Sequence, residues 1–191
     1  MKKVLIGNGG HAREVIAQMG VNLLRFVDDQ YVDEHTLPLS RFNPTKHVAM
    51  VAVADSKDRY DIIQRLPKET QFFTFIHPTA LLMEDVKIGE GSFIGAYSIL
   101  TTNIKIGKHA LLNRGNHIGH DCVIGDYFSA MPNAVVGGNV NIKDKVYMGG
   151  CSNIREKINI SNDVIIGMNA AVVKNIDKQG TYVGVPSKKI K

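Results

Sequence analysis

His120 followed directly by Asp121 is the pair in this chain best suited to move a proton. A carboxylate next to an imidazole holds the ring in one tautomer and stabilises its cation, which a general base near neutral pH requires. His117 lies close by but has no adjoining acid. Downstream, Gly137-Gly138 and Gly149-Gly150 remove side chains and would leave a groove open beside His120, with backbone amides exposed in it. A second constellation stands near the start, where Gly7-Asn8-Gly9-Gly10-His11-Ala12 follows an apolar run and precedes a helical stretch. That is a G-x-G-x-x-A turn, in which backbone N–H groups and a helix N-terminus receive phosphate. Asp28-Asp29 follows at the distance of an acid that hydrogen-bonds ribose hydroxyls or a base edge. Cys122 falls on an inward position of the repeat described next and reads as core, and two cysteines make no disulfide framework.

The element that must carry His120 is a repeat of six. From Ile76 to Ala171 the 96 residues divide into sixteen hexads without a phase slip, and every hexad opens on an aliphatic residue or methionine, among them Ile94, Ile118, Ile124, Val136 and Met148. Glycine recurs at the second position and small or β-branched residues at the fifth. Helices need apolar residues every three to four positions and strands every second one, so a strict six fits neither. It fits a hexapeptide β-helix, in which three hexads close a triangular coil of about eighteen residues and the stretch makes about five coils. First and fifth residues point inward, glycine at the corner is expected to accept backbone angles that a side chain would penalise, and His120 and Asp121, third and fourth in their hexad, face outward.

The preceding 75 residues alternate strand and helix. Strands are expected at Lys3 to Ile6, Leu23 to Val27, His47 to Val53 and Gln71 to Phe75, with helices at Arg13 to Met19 and Ser56 to Leu66. The chain therefore divides into an α/β nucleotide-binding domain at 1–75 and a β-helix with a C-terminal tail at 76–191. A full dinucleotide fold needs two mononucleotide halves, and this segment has room for little more than one, which favours a nucleotide-linked sugar over NAD. A structural cap on the solenoid is the alternative.

Lys and Arg outnumber Asp and Glu by 23 to 18, a net charge of +5 that suits anionic small molecules, with no dense basic run for nucleic acid. The longest apolar run, Val48 to Ala54, is too short to span a bilayer, and Met1-Lys2-Lys3 leads into a strand and a glycine turn rather than a signal peptide, so a cytoplasmic protein without membrane insertion is expected.

Gly7-Asn8-Gly9-Gly10-His11, Asp28-Asp29, His77-Pro78, Gly119 to Asp126, Gly137-Gly138-Asn139-Val140 and Val183 to Lys188 together resemble the bacterial sugar acetyltransferases of the NeuD and PglD type, across essentially the whole chain. The resemblance is greatest to the UDP-4-amino-sugar N-acetyltransferases of bacillosamine biosynthesis, enzymes of glycan assembly and protein glycosylation. It implies a Rossmann-like half domain followed by a left-handed parallel β-helix, a homotrimer with active sites between subunits, acetyl-CoA as co-substrate and no metal. It also implies roles: His120 as general base, Asp121 as the carboxylate that orients it, and Asn113 as a sugar contact. Gly9, Gly10, His11, Asp28 and Asp29 would bind UDP, and Gly138 and Gly150 would lie along CoA. One departure is Ser129, where many members carry a second histidine.

The reaction expected is direct transfer of acetyl from acetyl-CoA to the 4-amino group of the UDP-linked sugar. The alternatives are O-acetylation of a sugar or sialic acid, a non-catalytic UDP-sugar-binding protein, and a zinc lyase resembling the γ-class carbonic anhydrases, with His109, His117 and His120 as ligands shared between subunits. Histidine spacing on a coil does not settle ligand geometry.

Overall fold

A computed structural model describes residues 1–191. Five parallel strands open the chain: β1 (Lys2–Ile6), β2 (Leu24–Val27), β3 (Leu37–Pro38), β4 (His47–Val51) and β5 (Gln71–Phe72), in the order β3-β2-β1-β4-β5. The order reverses between β1 and β4, which leaves a crevice at the carboxyl end of β1. Alternate residues feed opposite faces: Val4, Ile6 and Phe26 pack under helix α2 (Ser56–Gln64), and Leu5, Ala12 and Val15 under helix α1 (Gly10–Met19). Helix α1 stops at Gly20, which takes φ 66° and returns its N–H to the Ile16 carbonyl. Helix α2 is capped by Asp55, whose carboxylate accepts from Lys57 N and Asp58 N.

From Phe75 onward the chain coils. Three sheets, here faces I, II and III, form the sides of a triangular prism, parallel throughout except where Gly180–Val183 and Lys188–Lys189 close face I as an antiparallel pair, and the register advances by one coil at a time, as in Ile99 beside His117 beside Val135 on face II. Hexad leaders such as Ile94, Leu100, Ile118 and Val136 are 0–1% exposed, and with Cys122 and the other fifth-position residues they form one continuous core. The leaders of the first coil are the exceptions, Ile76 at 41% exposed and Leu82 and Ile88 half-buried, because this open end has a coil on one side only.

Three expectations need correction. Helix α1 begins at Gly10, so His11 lies in its first turn. The last N-terminal strand ends at Phe72, and Phe75–Ile76 already pairs with Phe93–Ile94 on face I. The role of the corner glycines also differs. Left-handed backbone occurs at the fourth hexad position, where seven of the thirteen non-glycine residues with positive φ are Asn or Asp, the residues that tolerate it best. The second-position glycines are required by stacking instead: a β-carbon on Gly119 would come 2.7 Å from Gly138 N, and one on Gly137 2.6 Å from Glu156 N.

Candidate active site

Each coil has three corners. His120 and Asp121 occupy the corner between faces II and III, after strand His117–Ile118 and before Val123–Ile124. Asp121 takes φ 58°, and this turn brings its carboxylate back to the ring of its neighbour, with His120 Nδ1 2.7 Å from Asp121 Oδ2. The other carboxylate oxygen accepts from Asn103 Nδ2 at 2.6 Å. Hydrogen bonds from His120 and then Asn103 hold the Asp121 carboxyl below its ordinary pKa. With Nδ1 tied to a carboxylate, Nε2 is the free nitrogen of a side chain that is 57% exposed.

The glycines expected beside His120 separate. Gly138 lies in the coil below, and a β-carbon there would come 2.6 Å from His120 Nε2, so the imidazole itself fills the space that glycine leaves. Gly150 stands on a different corner, between faces I and II, and does not border His120 in the same chain. There it lines a groove of about 510 Å³ with Met131, Pro132, Cys151 and Met168 among its walls. Asn113, on the same corner, is 3% exposed: its Nδ2 donates to Glu14 Oε2 at 3.0 Å and its Oδ1 accepts from Arg114 N. Its nitrogen ties helix α1 to the solenoid and its oxygen is taken up within the solenoid, so both ends of the amide are engaged. His117 projects from face II and is exposed.

At the carboxyl end of β1, a cavity of about 380 Å³ is lined by Gly7, Asn8, Gly9, Val27, Asp28 and Tyr31, among others. Gly9 caps helix α1 with no side-chain hydrogen bond, so the first amides of the helix have no side-chain partner there. Asp28 accepts a two-pronged ion pair from Arg65 at 2.9 and 3.2 Å. Asp29 points away into the next depression and accepts from Ser40 N; the Ser40 side chain, and then this N–H, lower its pKa. Gly10 has open space above it apart from the Arg13 guanidinium. His11 turns from this cavity toward the solenoid, edge-on to Phe93, with both ring nitrogens enclosed and lacking a hydrogen-bond partner. Burial holds its pKa at about 4, reinforced by Arg59 and opposed by Glu14, 3.7 Å away.

Arg59 of α2 carries the junction and had no signal in the sequence. It is 1% exposed, with no carboxylate partner; its Nε donates to His109 O, Nη1 to Val53 O and Ala54 O, and Nη2 to Tyr127 O, Phe128 O and Ser129 Oγ. Burial lowers its pKa to about 10, so it remains a cation at neutral pH. Ser129 is fully buried here, and its hydroxyl donates to Ala54 O at 2.7 Å. His109 lies between Tyr127 and Phe72, 4% exposed, with burial the main cause of a pKa of about 4. His109, His117 and His120 thus occupy a buried corner, an open face and another corner, and no three His, Cys, Asp or Glu side chains in the chain converge as metal ligands.

All of these junction contacts fall on face I and its two corners: Arg59 and Ser56 to Tyr127, Phe128 and Ser129; Gln18 to Ala96; Glu14 to Asn113 and Arg114. His120 stands on the remaining corner, across the prism from the N-terminal sheet of its own chain.

No family model matches the chain. A GDP-perosamine N-acetyltransferase of Escherichia coli is 33% identical over 98 residues, 51% of this chain and 44% of that one. The chain spans less than half the length of the curated relatives it matches. Among solved structures, WeeI from Acinetobacter baumannii AYE superposes at a TM-score of 0.87 and 28% identity over the whole of both chains. PerB from Caulobacter crescentus, solved with CoA and GDP-perosamine, shares the fold at a TM-score of 0.75 and 22% identity, over 100% of this chain and 98% of its own. No helix of the chain is long and apolar enough to cross a membrane. In its sixteen hexads and its coil the chain is thus similar to sugar N-acetyltransferases and shares their fold.

Proposed function

We propose that the protein is a cytoplasmic, acetyl-CoA-dependent N-acetyltransferase that acetylates the 4-amino group of a UDP-linked amino-deoxy sugar in glycan assembly. In this reading 1–75 is a Rossmann-like nucleotide-binding domain, 76–191 a left-handed β-helix, and the homotrimer carries its sites between subunits. The observation that carries it is the His120–Asp121 pair: an imidazole fixed at Nδ1 by a carboxylate, with Nε2 free over a glycine and open to a ligand. Nε2 takes the proton of the amine as its nitrogen attacks the thioester carbonyl. The C–S bond then breaks, and the imidazolium returns the proton to the departing thiolate. The products are an amide and free CoA, with no acyl group on the protein.

Two further features fit the substrates. The uncapped start of α1, the glycine turn and Asp28 suit a nucleotide diphosphate and its ribose. The groove along Gly150, with Met131 and Met168 in its walls, suits an apolar pantetheine arm, and it belongs to a corner of the coil that a second copy can set beside His120 of the first. Gly138 then serves CoA only through the backbone it leaves bare beneath His120.

A GDP-linked sugar is the second reading, favoured by the names of two similar proteins. The test is to offer UDP- and GDP-linked 4-amino sugars and free sialic acid with acetyl-CoA, and to follow thiol release. The reading expects turnover with a nucleotide-linked amino sugar, fastest with UDP. Turnover only with sialic acid would replace amine by hydroxyl as the acceptor, and a requirement for added zinc would remove the mechanism.

A further inference from the structure

The base is built by three successive coils, and the upper one contributes a residue to which no role has been attached. Along the corner between faces II and III, residues eighteen apart stack in columns, as the pairing of Ile99, His117 and Val135 just before the corner requires. One column runs Thr102, His120, Gly138; the next runs Asn103, Asp121, Asn139. Asn103 and Asp121 share the left-handed conformation, with φ 56° and 58°, which turns the amide of one down onto the carboxylate of the other. Asn103 Nδ2 donates to Asp121 Oδ1 at 2.6 Å, and Asp121 Oδ2 receives His120 Nδ1 at 2.7 Å.

Resting on the reading of His120 as the base, we infer that Asn103 is a positioning residue for the reaction: it pins the rotation of the Asp121 carboxylate so that the carboxylate can fix the His120 ring. The need for such a brace follows from exposure. Asp121 is 42% exposed at an open corner, where water competes for both oxygens. A carboxylate held at one oxygen by a fixed amide presents the other in one direction only. The glycine at 138 completes the arrangement from below by leaving room for the ring. The charges that bear on His120 are few. Asp121 is the one in contact; the coils directly above and below present Thr102, Asn103, Gly138 and Asn139, and the next charged residues in these columns are Glu84 and Asp85 two coils up and Glu156 and Lys157 two coils down.

Two variants test this, each compared with His120→Ala. Asn103→Gly keeps the left-handed backbone without strain while deleting the amide. It should lower kcat about 10-fold, well short of the loss of the base itself, with KM for both substrates unchanged. Asn103→Asp adds a carboxylate near the imidazole and should move the acidic limb of the kcat profile up by about one pH unit. Asn103→Gly with wild-type kcat, or Asn103→Asp with the acidic limb where it stands in the wild type, overturns the inference while leaving the base in place. If His120→Ala itself keeps full turnover, the reading of the base fails first, and a role for Asn103 in positioning it falls with it.

Discussion

A methyl group added at residue 138 tests how the histidine is seated. In Gly138→Ala the new carbon would arrive 2.6 Å from His120 Nε2, so the ring must swing off its place and give up its alignment with Asp121. The φ of Gly138 is not among the positive ones, so alanine meets no backbone strain there. We expect kcat to fall by about 10²-fold, the scale on which general-base catalysis operates, with the melting temperature nearly unchanged. A wild-type rate would mean that Nε2 need not occupy this position. Much at this scale was legible, because the hexad phase told outward from inward residues and so separated His120 and Asp121 from Cys122. The seating of the ring was not, since a missing side chain in sequence reads equally as open groove and as room already taken. The burial of Asn113 and His11 was not legible for a related reason: a corner or loop position in the pattern becomes buried when another element docks on it, and the docking surface leaves no period.

The strict period makes the solenoid sensitive to charge at its inner positions. Ile124 is 2% exposed in a continuous aliphatic column, and Ile124→Asp would bury a carboxylate with no partner, at a cost of several kcal/mol. The expected result is loss of cooperative folding, read as absence of a β-type circular dichroism spectrum with a sharp melt; a variant that folds and melts normally would show that the phase is wrong. The coil was visible in sequence for the same physical reason that it is sensitive. Each rung repeats the same inward demand, and sixteen repetitions leave a signal that no single strand could. The short β3 at Leu37–Pro38 and the true end of the N-terminal sheet lacked that redundancy, as two-residue edge strands are defined by their neighbours more than by their own composition. The glycines were seen and their reason was not, because close approach between coils depends on the residue eighteen positions on.

How the two parts of the molecule are joined decides its response to pH and the make-up of its site. Buried Arg59 ties α2 to the solenoid, and two neutral histidines, His11 and His109, are enclosed around the same junction with folded pKa values of about 4. In the unfolded chain both titrate near 6.5, so between these values the unfolded state binds protons that the folded state refuses. Stability is therefore fully present above pH 6.5, falls as pH drops toward 4, and does so by about 1 kcal/mol per pH unit per histidine. Thermal melts across this range should show the loss, and His109→Phe, which keeps the ring packing against Tyr127 and Phe72, should shrink it; an unchanged acid sensitivity would exclude His109 as a cause. The same junction holds the cavity at the carboxyl end of β1 over face I while His120 stands at the opposite corner, so on the proposed reading a site that uses both draws them from two copies. Subunit mixing tests this directly. His120→Ala and Asp28→Ala should each be weakly active alone, since one lacks the base and the other the acid of the nucleotide cavity. Unfolded together and refolded as mixed closed rings, they should regain activity, because a base from the second variant can face an intact cavity from the first. Random pairing of equal amounts makes about one interface in four fully intact, so about a quarter of wild-type activity is expected. A mixture no more active than its separate components would place base and nucleotide within one chain, which the position of His120 across the prism does not permit without a large rearrangement of the junction that Arg59 holds.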